Sequence, residues 1–347
     1  MPITIKDIAK QAGVSHSTVS RALRNNPMIS DQTTERIRQI AREMGYFPSA
    51  AARSLKTNRS QVLGVVLSSI DDPFFSEILQ GIEDGIQGSG YSLFIASAYH
   101  NPIREKEIVQ TMVEHRTDGV IICSTSFSEK QGGHFLEYGV PIVVINNQAA
   151  EDFRYSIYHD DADGARQLTH HLIELGHQRI AYLGNILSGR TNEDRLMGFR
   201  RAMSAANLEI PPGYILEACG GNPEDTKPAL NQLLSVVDRP TALLCYNDML
   251  AIGILRGLQE HQLQVPQDIS VTGFDNIKLS AYTNPPITTF DQPKHFIGEE
   301  AARLLMGLLE SSSPDKQNVK ILKGRLLIRN STAPPPGQAR GMKKPLN

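Results

Sequence analysis

From Gln61 onward, short apolar runs alternate with amphipathic stretches, and this alternation restricts the fold more than any other feature of the chain. VLGVVLSSI (62–70), YSLFIASAY (91–99), DGVIICST (118–125) and PIVVINN (141–147) are too continuously apolar to keep one wet face, so they read as buried parallel strands. Helical stretches fall between them, around 75–89, 102–116 and 129–138. The cycle resumes with SIYHD (156–160), RIAYLGN (179–185), YILEACGG (214–221), ALLCYN (242–247) and ISVTGFDN (269–276). A helix near 294–311 and strands near 319–329 follow. Such alternation builds doubly wound open sheets with ligand clefts at the carboxyl ends of the strands. Two series of this kind predict two similar lobes facing each other.

The first 60 residues obey a different pattern. In TIKDIAKQAGVSHSTVSRALR (4–24), Ile5, Ile8, Ala9 and Ala12 recur at helical spacing, and Thr4 with Asp7 forms a helix-start signal. Gly13 suits the positive φ that ends a helix, Val14 anchors the turn, and Ser15 suits the cap of a second helix. That second helix would bury Val19, Ala22 and Leu23 and display His16, Ser17, Ser20, Arg21 and Arg24. This is a helix-turn-helix whose second helix carries hydrogen-bonding groups for a major groove. A third helix is predicted over about 31–44, ended by Gly45.

Charge divides the chain the same way. Residues 1–60 hold ten Lys and Arg against four acids, a net +6, whereas the whole chain is −2. A basic head on an acidic body suits one domain that meets a polyanion and another that does not. Residues 46–60, YFPSAAARSLKTNRS, are small and basic and too short for a stable isolated helix, so a coil is expected in the free protein. Leu55, set among Arg53, Lys56 and Arg59, has the chemistry of a minor-groove wedge, although docking on the next domain would also suit it.

Cys123, Cys219 and Cys245 lack metal-ligand spacing and are expected as buried small hydrophobes in a reducing compartment. No metal or cofactor motif is present. The N-terminus has no apolar signal-peptide core and no apolar run spans a bilayer, so a cytoplasmic protein without membrane contact is expected. The sequence shows no Gly-rich phosphate loop, no Gly-x-Ser-x-Gly elbow and no His-x-x-x-His pair, which argues against an enzyme. A solute-binding protein would share the bilobed core but not the basic helix-turn-helix. His159-Asp160-Asp161 reads as loop surface. Of His170 and His171, one should face the core and the other solvent.

In order along the chain, IKDIAKQAGVS and TVSRAL (5–23), GYFPSAAARSL (45–55), DDPFF (71–75), LGHQRIAYL (175–183), RLMGFRRAM (195–203), NDMLAIG (247–253), VPQDISVTGFDN (265–276) and LIRNSTAPP (327–335) resemble the LacI/GalR bacterial transcription regulators. The resemblance implies a helix-turn-helix head at 1–48, a hinge helix and linker at 49–60, and a periplasmic-binding-protein-like core at 61–334. The core's first lobe would be about 61–161 plus 292–322, and its second about 162–291 plus 323–334. The three-proline tail, 335–347, is expected to be disordered and offers no heptad helix for tetramer formation.

The resemblance further implies a homodimer on a two-fold-symmetric operator in double-stranded DNA. It maps base reading onto His16, Ser17 and Arg21, with Arg21 suited to a bidentate pair with guanine. Ser15, Thr18, Ser20 and Asn25 suit phosphate oxygens, and Leu55, flanked by Arg53, would be the paired wedge. In the cleft it maps the effector grip onto Arg195, Asn247 and Asp275, although an ion pair at a helix start would also suit Arg195 and a helix cap Asp275. Asp72, Phe74, Phe75, Ser124, Asn146 and Asp160 stand near strand ends as further candidates, and core packing equally suits the two Phe. Purine-responsive members carry an aromatic residue where this chain has Gly220-Gly221-Asn222, and they lack the Asn247-Asp248 pair. Those departures point to a small-molecule effector of carbohydrate type, with a nucleobase as the alternative.

Overall fold

The computed structural model describes residues 3–46, 59–123, 139–145, 155–311 and 318–337. The chain divides into two compact units, 1–60 and 61–347. In the first, helices α1 (Ile5–Ala12), α2 (His16–Ala22) and α3 (Asp31–Glu43) enclose Ile8, Ala9, Ala12, Val19, Ala22, Ile37 and Ala41. Each start uses the local chemistry of its sequence. The Thr4 backbone N–H donates to the Asp7 carboxylate at 2.8 Å, and Ser15 Oγ accepts from the Thr18 N–H at 3.1 Å. Gly13 turns the chain out of α1 at φ 65°, where a side chain would be strained. Arg36 on α3 donates to the Ala12 carbonyl, an orphan acceptor at the end of α1, and so ties the third helix to the first.

The second unit holds two parallel sheets. Strands β1 (Val62–Leu67), β2 (Ser92–Ser97), β3 (Gly119–Cys123), β4 (Ile142–Ile145), β5 (Tyr155–His159) and β11 (Asn318–Leu322) form a six-stranded sheet in the order β11-β5-β4-β3-β1-β2. Strands β6 (Ile180–Asn185), β7 (Ile215–Ala218), β8 (Ala242–Cys245) and β9 (Ser270–Thr272) form a four-stranded sheet in the order β7-β6-β8-β9. Pairing within both is parallel, so the expected doubly wound α/β fold is what the chain adopts. We call the parts built on these sheets the first and second lobes. Two short strands occupy the region near 319–329: β11 joins the first lobe, and β12 (Arg325–Leu327) pairs antiparallel with β10 (Thr289–Asp291).

Helices α4 (Phe74–Ile86), α5 (Pro102–Glu114) and α10 (Lys294–Glu310) cover the first sheet, and α6 (Asp161–Glu174), α7 (Gly189–Ala205), α8 (Lys227–Ser235) and α9 (Asp248–Glu260) the second. Helices α4 and α10 pack so closely that a Cβ on Gly81 would strike the His295 carbonyl and one on Gly298 the Ile78 carbonyl. The chain passes between the lobes after β5, after β10 and after β11.

Strand order reverses between β1 and β3 in one lobe and between β6 and β8 in the other. Loops leaving the carboxyl ends of such strands diverge to opposite faces of a sheet and open a crevice. Both crevices contribute to one cleft of about 270 Å³. Ala333, just before the expected tail, is held in the second lobe: its N–H donates to Ser270 Oγ at 3.0 Å, and its carbonyl lies 2.8 Å from His177 Nε2. Among the described residues, no helix is long and apolar enough to cross a membrane.

Candidate functional site

On the head, the outer face of α2 is chemically open. His16, Ser17 and Arg21 are exposed, while Val19 and Ala22 on the other side are buried. The Ser15 hydroxyl caps the helix and also lies 2.7 Å from Ser17 Oγ and 2.8 Å from Thr18 Oγ1, so three hydroxyls cluster at the helix start. Ser20 is half-buried. Asn25 follows α2 at φ 56°, a conformation that Asn tolerates, and its side-chain oxygen accepts from Arg38. Asn25 is exposed. Arg53 and Leu55 lie outside the described residues, as does the expected hinge helix.

The cleft is built differently. Its first-lobe wall comes from the loop after β1 and the start of α4 (Ser68, Asp71, Asp72, Phe74, Phe75), the turn after β2 (Tyr99, His100) and the end of β3 (Cys123). Its second-lobe wall comes from the segments after β6 (Asn185, Leu187, Ser188, Thr191, Arg195), β7 (Cys219 to Asn222, Asp225), β8 (Tyr246, Asn247) and β9 (Asp275). Gly221 lets the β7 turn approach, since a Cβ there would sit 3.2 Å from Asn247 Nδ2 and 3.3 Å from Asn185 Nδ2.

Arg195 is the hub. It is 4% exposed, donates through Nε to Asp161 Oδ1 at 2.7 Å and through Nη1 to the Tyr246 carbonyl, and has Nη2 3.4 Å from Asp275 Oδ1. Its guanidinium carbon lies 3.8 Å from the Phe274 ring centroid and 4.4 Å from that of Tyr246. Burial works against the charge, but the Asp161 and Asp275 carboxylates outweigh it and hold Arg195 above its ordinary range. Arg195 and Asp275 thus meet as expected, yet not as two open arms: each is engaged within the protein.

Asp275 sits at φ 105° and Asn276 at φ 52°, two successive residues in the left-handed region. Lys294 holds this kink by donating to both of their carbonyls, at 3.1 Å for Asn276, and Gln292 Nε2 donates to the Asp275 carboxylate. The strained, side-chain-braced kink is not a helix cap. Burial, against the pull of Arg195, pushes the Asp275 carboxyl well above the usual range and also raises Asp72. Asp248, behind Asp275, is pushed up to about 7 by burial, despite accepting from Thr289 Oγ1 at 2.6 Å and the Ile277 N–H at 2.8 Å.

Asn247 serves as a scaffold. Its oxygen caps α9 through the Leu250 N–H at 2.9 Å, and its amide donates to the Gly221 carbonyl at 3.2 Å. Asp72 accepts from the Phe74 N–H at 2.9 Å at the start of α4. Phe74 and Phe75 stand edge to face at 5.2 Å, belong to the first-lobe core and line the cleft.

Three expectations need correction. Asp160 is not in the cleft wall: its carboxylate caps α6 through the Asp163 N–H at 2.9 Å and is exposed. Its neighbours His159 and Asp161, expected at the surface, are buried instead, 3.3 Å apart, because β5 ends and α6 begins inside the core. Cys219 is exposed, because β7 has already ended at Ala218. Ser124 and Asn146 lie outside the described residues. Residues the motifs did not single out include His100, whose pKa burial lowers, and Thr191. Thr191 is 5% exposed, and its hydroxyl has no hydrogen-bond partner among the described residues. A buried orphan hydroxyl on a cleft wall keeps its hydrogen-bonding capacity unspent. Its signal in the sequence was its position one helical turn before Arg195. Among the described residues no His, Cys, Asp and Glu group has metal-site geometry.

Comparison with known proteins gives two family matches: bacterial regulatory proteins of the lacI family over residues 4–49, and a periplasmic binding protein-like domain over residues 169–332. The HTH-type transcriptional repressor PurR of Mannheimia succiniciproducens is 33% identical over 329 residues, covering 94% of this chain and 98% of that protein. The lac repressor dimer bound to operator and the anti-inducer ONPF superposes with a TM-score of 0.85 at 27% identity, covering 96% of this chain and all of that one. The transcriptional regulator CelR in complex with cellobiose gives 0.71 at 26% identity, over 95% and 99% of the two chains.

Proposed function

Given that the chain belongs to the LacI family of bacterial regulatory proteins and is a DNA-binding transcription repressor, not an enzyme, we propose that a neutral small molecule in the cleft sets its affinity for operator DNA. The observation that carries this reading is the acid-rich cleft wall. Asp71, Asp72, Asp225 and Asp275 face Arg195 and His100 there, and burial already raises the pKa of Asp72 and Asp275. A second anion would add to that cost, whereas hydroxyl or N–H donors would add further partners to carboxylates that already accept from within the protein. Thr191 offers one further unpaired hydroxyl.

A carbohydrate is the first reading of the effector. Its hydroxyls both donate and accept, matching a wall of carboxylates, amides and hydroxyls, and the Gly220-Gly221-Asn222 turn brings no aromatic face to the floor. The structural likeness to CelR with cellobiose supports it. A nucleobase is the second reading, favoured by the sequence relatives that bear the name PurR. On DNA, a homodimer would place two α2 helices in successive major grooves, with His16, Ser17 and Arg21 on base edges and Ser15, Thr18, Ser20 and Asn25 on phosphates. Residues 49–60, including Arg53 and Leu55, would carry the coupling between cleft and head.

A thermal-shift screen of sugars, sugar phosphates and nucleobases tests the reading. A ligand of the folded state alone raises Tm with its concentration. Neutral sugars are expected to shift Tm and their phosphates not. A nucleobase hit with no sugar hit would exchange the first reading for the second, and a preference for phosphorylated ligands would contradict both.

A further inference from the structure

Lys294 stands where a cation is least expected. It opens α10, at the positive end of that helix's dipole, and its side chain is 1% exposed. A local rule broken at a buried position calls for compensating partners. Two lie in the second lobe: the ammonium donates to the carbonyls of Asp275 and Asn276, the latter at 3.1 Å. Another lies in the first lobe, where Glu77 Oε2 on the first turn of α4 is 3.8 Å from Nζ. An ammonium has three donor hydrogens, and the kink takes two of them. The gap to Glu77 is about 1 Å too long for a charge-assisted hydrogen bond, so a shift of that size between the lobes makes or breaks the contact.

What stands on either side turns this ion pair into a link. On the second-lobe side, the crossover after β10 grips Asp275 twice, Gln292 by the carboxylate and Lys294 by the carbonyl. On the first-lobe side, Gly81 and Gly298 bring α10 into close backbone contact with α4, and His295 Nε2 lies 2.8 Å from Asp84 Oδ2. The start of α4 carries Asp72, Phe74 and Phe75 on the cleft wall. Asp275 on one wall and α4 on the other are therefore joined through one ammonium. We propose that Lys294 is a relay between the lobes, shared between the Asp275–Asn276 kink and Glu77, so that a ligand engaging the Asp275 carboxylate moves α4 relative to the second lobe. The inference rests on the proposed control of DNA affinity by the cleft, and not on which class of ligand fills it.

The test alters one lobe and reads the other, by hydrogen exchange on the full chain without ligand. The Asp275 N–H donates to the Phe290 carbonyl at 2.9 Å, that of Asn276 to Thr289 Oγ1 at 3.2 Å and that of Ile277 to Asp248 Oδ2 at 2.8 Å, so their exchange reports opening of the kink. Lys294→Met would strand two buried carbonyls, so the charge is removed from the half-buried Glu77 instead. In Glu77→Gln, exchange at 275–277 should rise about fivefold. Glu77→Asp keeps the charge and should recover part of the protection. Asp84→Asn weakens the other tie between α4 and α10 without touching the kink, and should leave those amides unchanged. The same variants are then titrated with an operator duplex selected from random DNA. Glu77→Gln should shift the operator Kd by about threefold or more, and Asp84→Asn should not shift it. Unchanged kink exchange in Glu77→Gln overturns the relay, as does an equal rise in Asp84→Asn. A raised exchange with an unshifted operator Kd overturns it too, leaving a local ion pair. An unaltered protein whose operator Kd ignores every sugar and nucleobase of the thermal-shift screen overturns the effector reading, and with it the relay's role; the exchange, read without ligand, separates that failure from the others.

Discussion

On the head, His16, Ser17 and Arg21 stand exposed on one side of a short helix; in the cleft, Arg195, Asn247 and Asp275 are buried and already engaged with their own protein. A DNA surface must be met by side chains that give up water on contact, so it needs them free and solvated. An effector site must be rigid beforehand, because each side chain frozen on binding subtracts from affinity. The head therefore separates function from stability, and the cleft fuses them. Arg195 makes the point: the cation on the cleft wall also neutralises the buried Asp161 and Asp275.

The contrast breaks first if Arg195→Ala is tolerated. Removing this guanidinium strands two buried carboxylates, a loss on the order of 3–5 kcal/mol, so the core unit should melt far lower and effector binding vanish with it. Calorimetry of the variant checks this; an unchanged Tm would mean the ion cluster carries no stability.

Asp248 sharpens the same point through pH. Its folded pKa of about 7 exceeds that of an unfolded Asp, so the folded state binds the extra proton. This group's contribution is complete below about pH 4 and is lost as pH rises through about 7. Stability measured by urea unfolding should fall over that window from this source, and Asp248→Asn should flatten the fall.

The head should behave in the opposite way. Arg21→Ala is expected to cost about 1–3 kcal/mol of discrimination at one operator position while leaving Tm unmoved. Competition binding with single-base operator variants reads it, and a uniform loss across all sequences would reassign Arg21 to phosphate. The smallest effect belongs to Thr191→Val. Deleting an unpaired buried hydroxyl should leave the free protein as stable or up to about 1 kcal/mol more stable, while weakening the effector. A stability loss would show that the hydroxyl is already satisfied.

The same contrast governs what was legible in the sequence. Helical periodicity decides which side of α2 is wet, so the display of His16 and Arg21 followed from the positions of Val19 and Ala22 alone. Strand alternation located both sheets, and the end of β9 located Asp275. Sequence could not show that Asp275 lies at φ 105°, or that Lys294, 19 residues on, holds its carbonyl. Nor could it choose between Asp160 and Asp161, adjacent acids at a strand-to-helix step. One residue of register turns the first to solvent as a cap and the second inward to Arg195. Cys219 failed for the same reason, lying one residue beyond the end of its strand.

If the cleft controls the head as proposed, occupancy of the cleft and affinity for DNA are coupled. The direct measurement is calorimetric titration of the ligand found by thermal shift, with and without a saturating operator duplex selected from random DNA. Coupling must be reciprocal, so the factor by which DNA changes ligand Kd should equal the factor by which ligand changes DNA Kd. A common factor of about 5–150 is expected, lost in Asp275→Asn. Ligand Kd values identical with and without operator would contradict it.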